Sequence, residues 1–126
     1  MAVKRKVTIG VIIGLAIMAG LLVYAATLSK NRTANADSEK LLGDWVRPDG
    51  GYVIRINGIH SDGTVQAAYF NPNPIHVATA TVNSQKGIIS LFAELQDVGY
   101  PGSKYDMVYI RENDVLQGTY FQAQAQ

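Results

Sequence analysis

The sequence predicts a mainly β domain, an antiparallel up-and-down meander forming a small, incompletely closed barrel, preceded by one N-terminal transmembrane helix. Three observations carry this. Apolar and polar residues alternate with period two from Leu41 onward, Gly, Pro, Asn and Asp punctuate the chain about every 10 to 12 residues, and Lys4-Arg5-Lys6 precedes an uncharged run from Val7 to Leu28.

The uncharged run comes first in chain order. Its 22 residues would make a helix roughly 33 Å long, enough to cross a hydrocarbon layer of about 30 Å. Tyr24 near its far end suits an interfacial aromatic, and the cations before it hold the short N-terminus in the cytoplasm. The expected organisation is a basic N-terminus at 1–6, a signal-anchor helix at 7–28, a polar linker at 29–40 and an exported β domain at 41–126. That makes an inner-membrane, single-pass protein with its C-terminal domain in the periplasm. The alternative is a signal peptide cleaved after Ala34-Asn35-Ala36, which would release the domain into the periplasm. The length of the apolar run and the intervening Lys30 and Arg32 favour the anchor.

From Leu41 seven strands are expected. Asp44 to Arg47 turns at Pro48-Asp49-Gly50-Gly51 into Tyr52 to Ile59, with Tyr52, Ile54 and Ile56 on one face. His60-Ser61-Asp62-Gly63 closes a hairpin into Thr64 to Phe70, where Asp-Gly is a strong turn dipeptide. Asn71-Pro72-Asn73-Pro74 should leave the sheet, since proline removes ladder donors. Ile75 to Asn83 and Ile88 to Leu95 follow, then a loop from Gln96 to Ser103, and finally Lys104 to Ile110 and Val115 to Phe121. The connections are too short for parallel crossovers. With about 90 residues there is room for one core, to which Trp45, six tyrosines and three phenylalanines bring large buried areas.

Charge and cysteine content exclude several classes. The charges before Asp37 sum to +5, whereas from Asp37 onward six bases face ten acids, a net −4. An acidic domain does not suit nucleic acid, which is held mainly through Lys and Arg. The chain has no cysteine, so it has neither disulfides nor a thiolate zinc site.

Leu42-Gly43-Asp44-Trp45, a Gly-x-Trp entering the first strand of a meander, resembles the start of the calycin barrels, the lipocalin and avidin group. In those families the Trp plugs one barrel end, usually beneath an Arg from a late strand. Here Arg111 precedes the last strand, and the chain ends in a polar Gln-Ala tail. The stretches LLGDWVRPDGGYVIRI, DGTVQAAYFNPNPIHVATA, ELQDVGYPGSKYDMVYI and DVLQGTYFQA are similar to a set of small exported proteins of Gram-negative bacteria. Those typically continue into a further apolar strand. The resemblance implies an address and a calycin-like meander, not a mechanism, and the missing strand implies an open final edge.

No catalytic constellation emerges. His60 falls in a turn, His76 shares a strand face with Ala78, Ala80 and Val82, and no metal-ligand spacing accompanies either. Most acids sit at strand ends or in turns, where Asp caps backbone donors. Neither catalytic and metal-ligating residues nor a cofactor is expected. The loops around Asn71 and Asp97 combine aromatics, rigid backbone and hydrogen-bonding side chains, the ingredients of a site at a barrel mouth. Trp45, Tyr52, Tyr69, Asn71, Asp97 and Tyr100 are the candidate ligand-binding residues. Two functions fit: an envelope interaction or assembly module that pairs with a partner or a second copy through the final strand, and a small-ligand-binding, lipocalin-like carrier or sensor.

Overall fold

The computed structural model describes residues 4–12 and 37–123. Nine strands follow in chain order: β1 (Arg5–Ile12), β2 (Gly43–Arg47), β3 (Tyr52–Ile59), β4 (Val65–Asn71), β5 (Asn73–Ile75), β6 (Val77–Gln85), β7 (Ile88–Asp97), β8 (Tyr100–Ile110) and β9 (Val115–Phe121). They form one curled sheet in the order β5-β4-β3-β2-β1-β9-β8-β7-β6. A 3₁₀ turn, Glu39–Leu41, leads into β2.

The local rules place the strands where alternation put them. On β3, Ile54 and Ile56 are buried while Arg55 and Asn57 face solvent; on β7, Ile89, Leu91, Ala93 and Leu95 are buried in strict alternation. The β3–β4 hairpin closes with Gly63 at φ 92°, a conformation that favours glycine. There the Gly63 N–H donates to the His60 carbonyl at 3.0 Å, and Asp62 accepts from the Thr64 N–H at 2.9 Å.

The sheet rolls into a nearly closed barrel. β5 and β6 are two halves of one strand broken at His76. β5 pairs with the end of β4, and further along Thr81 bridges Thr64 while the Val82 N–H reaches the Gly63 carbonyl at 2.8 Å. Between these anchor points β4 and β6 part, which leaves the seam there incompletely closed.

Four sequence expectations are corrected. The first is the transmembrane helix: its opening residues, Val7 to Ile12, are strand, paired in parallel with Leu116 to Phe121. A continuous aliphatic run has no period of its own, and here the unpaired side of β9 selects the extended form. The rest of that span, 13–28, the linker's 29–36 and the cleavage motif lie outside the described residues. Among the described residues no helix is long and apolar enough to cross a membrane.

Second, the final strand is not an open edge, because β9 is flanked by β8 on one side and β1 on the other. Third, the chain around Pro72 stays in the sheet: Asn71 pairs with Asn73 and Phe70 with Pro74. Proline is tolerated there because the ladder is short and one side of β5 is free. Fourth, the expected Gln96 to Ser103 loop is mostly strand, as β7 runs to Asp97 and β8 begins at Tyr100.

The barrel interior is stratified. At one end Trp45, with no exposed surface, donates its indole N–H to the Leu41 carbonyl at 2.7 Å and meets Tyr109 edge-on at 6.0 Å. The Arg5 guanidinium lies 4.1 Å above its ring. The cation that covers the plug thus comes from the N-terminal strand and not from Arg111, which instead bonds Asp37 and the Gly87 carbonyl. Aliphatic residues of β3, β7, β8 and β9 fill the middle, and tyrosines gather at the opposite end.

Candidate functional site

Trp45 faces inward on β2, so the residue two positions on, Arg47, also faces inward, about 7 Å further along the barrel. Only 5% of Arg47 is exposed. A buried guanidinium is costly unless its donors are satisfied. Nε and Nη2 donate to the Asp49 carboxylate, the former at 3.0 Å, and Nη1 donates to the Tyr105 hydroxyl at 2.8 Å. The turn Pro48-Asp49 folds the acid back onto the base two residues before it.

Aromatic rings surround this cation. Its central carbon lies 4.5 Å from the Tyr52 ring centre, 5.2 Å from Tyr120 and 5.7 Å from Tyr105. The chain of polar contacts continues from Tyr105 to the Tyr69 hydroxyl at 2.8 Å. Tyr69 stacks on Tyr52 at 6.3 Å and meets Tyr100 edge-on at 6.0 Å. Asn71, at the end of β4, donates its amide to the Tyr100 hydroxyl at the start of β8.

Arg47, Tyr52, Tyr69, Asn71, Tyr100 and Tyr120 line a cavity of about 300 Å³, whose lining is completed by the exposed Gly99 and Gln122. That volume is at the lower end of the range of about 300 to 1,000 Å³ usual for small-molecule sites. Burial raises the pKa of the Tyr69, Tyr105 and Tyr120 hydroxyls, so they stay neutral donors and acceptors. Burial alone would lower the pKa of Arg47, but its hydrogen bonds to Asp49 and Tyr105 outweigh that and keep it firmly cationic. The same pairing holds the Asp49 carboxyl below its usual range. The cavity therefore combines ring faces, hydroxyls, amides and a cation whose charge is offset at its side.

Of the six residues expected to bind a ligand, Tyr52, Tyr69, Asn71 and Tyr100 come together in this lining. Trp45 does not; it is enclosed in the layer below. Nor does Asp97, whose carboxylate accepts from the Val98 N–H in the β7–β8 turn and from the His76 N–H at the β5–β6 break, each at 2.8 Å. His60 and His76 are both exposed, and among the described residues no group of three or more His, Cys, Asp or Glu could hold a metal ion. Four lining residues, Arg47, Gly99, Tyr120 and Gln122, were not among the expected six, and Arg47 and Tyr120 are the buried ones. The signal for Arg47 was its position, two residues beyond an inward Trp with an acid two residues later. For Tyr120 it was the alternation Leu116, Gly118, Tyr120 on β9.

No protein-family model, no curated protein and no solved structure matches the chain, so the reading of this site rests on its own geometry.

Proposed function

We propose that the protein is a non-catalytic binding module of the cell envelope that takes a small, hydrogen-bonding ligand with a ring body into the tyrosine-lined cavity. The observation that carries this is the buried Arg47 guanidinium enclosed by Tyr52, Tyr105 and Tyr120 at the wall of a 300 Å³ cavity. Tyrosine faces stack on flat ligands, and hydroxyls and amides both donate and accept. Because Asp49 offsets the charge of Arg47, the cavity favours polyhydroxylated or aromatic ligands, neutral or singly charged, over phosphates of higher charge. Three of its groups also argue for binding over turnover: burial moves the Tyr69 and Tyr120 hydroxyls further from neutral pH, and the arginine is permanently charged.

The envelope address rests on the three cations and the 22-residue uncharged run behind them. With Val7 to Ile12 seated in the barrel, 16 uncharged residues remain to Leu28. As a helix these reach roughly 24 Å, short of a bilayer core of about 30 Å. A seated β1 therefore leaves a span short enough to require a thinned bilayer, so anchoring and the barrel compete for residues 7–12. The second reading, an interaction module, is favoured by the way β9 takes a strand from a distant part of the chain.

The test is a thermal-shift screen of monosaccharides, polyols and aromatic acids against the full chain. A ligand at about 100 times its Kd stabilises by about 2.7 kcal/mol, readable as a rise in Tm. Tyr100→Ala and Asn71→Ala, at the cavity's edge, should abolish the shift while leaving the Tm of the free protein within a few degrees. A hit whose shift survives both substitutions would place binding elsewhere and sink the proposal.

A further inference from the structure

A meander of seven strands has its first and last strands pointing the same way. Here these are β2 and β9, and the lane between them is filled by β1, parallel to both. The occupant is held unequally, by six register pairs to β9, from Val7↔Leu116 to Ile12↔Phe121, and by two to β2, Arg5↔Trp45 and Lys6↔Val46. Its inward side chains are read specifically. Arg5 covers Trp45, donates to the Lys40 carbonyl at 2.6 Å and pairs with Asp114 at 3.2 Å, while Val7 has no exposed surface.

Every one of those partners belongs to the body of the barrel from Lys40 onward. None depends on which copy of the chain delivers the strand. The connection between Ile12 and Asp37 comprises 24 residues. To bring the chain back beside β1 it must return along about 26 Å, the length of eight strand residues. Fully extended it could reach roughly 80 Å, so its length allows delivery to a neighbouring barrel. The charges also match, since Lys4, Arg5 and Lys6 would approach a body of net charge −4.

We propose that the β2–β9 lane is a strand-acceptor site, and that residues 5–12 of a second copy of this chain occupy it in a reciprocally exchanged dimer. The exchanged dimer keeps every contact of β1 and alters only the path of the connection, the usual basis for a low-cost exchange of an element between protomers.

The absence of cysteine gives a direct test in the full chain. One preparation carries Lys6→Cys and a second, differently tagged, carries Val46→Cys; Lys6 is exposed and Val46 is half-buried. The two are mixed over a range of concentrations, cycled through mild denaturant and oxidised. Heterodisulfide should exceed that from a Thr8→Cys and Val46→Cys mixture by roughly tenfold, because disulfides form only where Cα atoms come within about 7 Å. Its yield should rise with concentration and fall when excess peptide of residues 4–12 is added. The Lys6→Cys/Val46→Cys double variant checks that the register is right by closing within one chain at high dilution. If the double variant closes but the mixture gives no more heterodisulfide than the Thr8 control, the exchange is refuted. Heterodisulfide that the peptide cannot suppress would be collisional and would refute it equally.

Discussion

Replacing Gly118 by alanine should cost about 3 kcal/mol, because a methyl group at this point of β9 meets backbone on the neighbouring strand. A Cβ built there lies 2.0 Å from the Asp106 carbonyl oxygen and 2.6 Å from the Met107 Cα. Real Cβ contacts essentially never fall below 3.0 Å, and neither obstacle is a side chain that can rotate away. β8 and β9 would have to separate by about 1 Å from a spacing near 4.8 Å, which stretches the flanking ladder bonds past useful length. Overpacking typically costs about 1 to 3 kcal/mol, and each weakened hydrogen bond about 1 kcal/mol. Against this, alanine restricts the unfolded chain and returns about 0.4 to 1 kcal/mol. For a domain this size the net loss corresponds to a fall of roughly 12 to 24 °C in Tm. Trp45, the single tryptophan, reports urea unfolding by fluorescence. Gly10→Ala is the control: nothing lies within 4 Å of its added Cβ, and it should change stability by no more than about 0.5 kcal/mol. If Gly118→Ala lost less than about 1 kcal/mol, the close β8–β9 approach would be wrong.

Two further predictions concern the barrel's ends. At the plug, Trp45→Ala should cost about 3 to 5 kcal/mol and Arg5→Ala about 1 to 2 kcal/mol, the scales for truncating a buried indole and for losing a desolvated cation–π contact. Because the two residues touch, urea titrations of the double variant should show less than the summed loss; strict additivity would mean that Arg5 does not seat on Trp45. For the Arg47 cavity and for the Asp44–Arg55 pair on the outer face, stability should be flat across neutral pH and fall on both sides. Hydrogen bonds from Arg47 and Arg55 depress the Asp49 and Asp44 carboxyls, so their contribution is complete above the unfolded value near 3.9 and is lost as pH falls through the folded values. Burial raises Tyr69, Tyr105 and Tyr120, so their contribution is complete below about 10 and is lost as pH rises through the folded values. Tyrosinate absorbance and circular dichroism followed together should show part of the absorbance change of the seven tyrosines arriving only with unfolding; if all seven ionised near 10 in the folded protein, the burial of these three would be contradicted.

Seven of the strands were legible because each depends on information within a few residues: alternation inside the strand and a turn dipeptide at its end. The gathering of Tyr52, Tyr69, Asn71 and Tyr100 was legible for a related reason, since aromatics beside rigid loops at strand ends converge on one mouth once the meander rolls up. Asp97 looked equivalent by composition, but a carboxylate next to a Val-Gly turn finds backbone N–H groups closer than any ligand, and it caps them. Arg47 escaped because a charged residue is normally assigned to solvent, although the inward Trp45 two positions earlier already placed it inside.

What composition concealed at the N-terminus was decided by the parity of the meander. Seven antiparallel strands bring the first and last together pointing the same way, with the outer groups of both unpaired, so a hairpin-connected neighbour cannot join them in parallel. An eighth strand must come from a distant part of the chain, run parallel to both, cover the exposed side of Trp45 and place apolar residues inward at every second position. Arg5, Val7 and Ile9 meet those conditions, while Lys6, Thr8 and Gly10 turn outward. Read along the chain, Val7 to Ile12 is only the start of an apolar run, and the same residues would serve a bilayer equally well. The difference lies in the partner. In lipid the segment must satisfy its own backbone and becomes helical, whereas beside β9 the barrel supplies the missing donors and acceptors and the extended form prevails. The state of residues 5–12 thus reports whether the β2–β9 lane is filled, which makes the N-terminal strand and the lane one system.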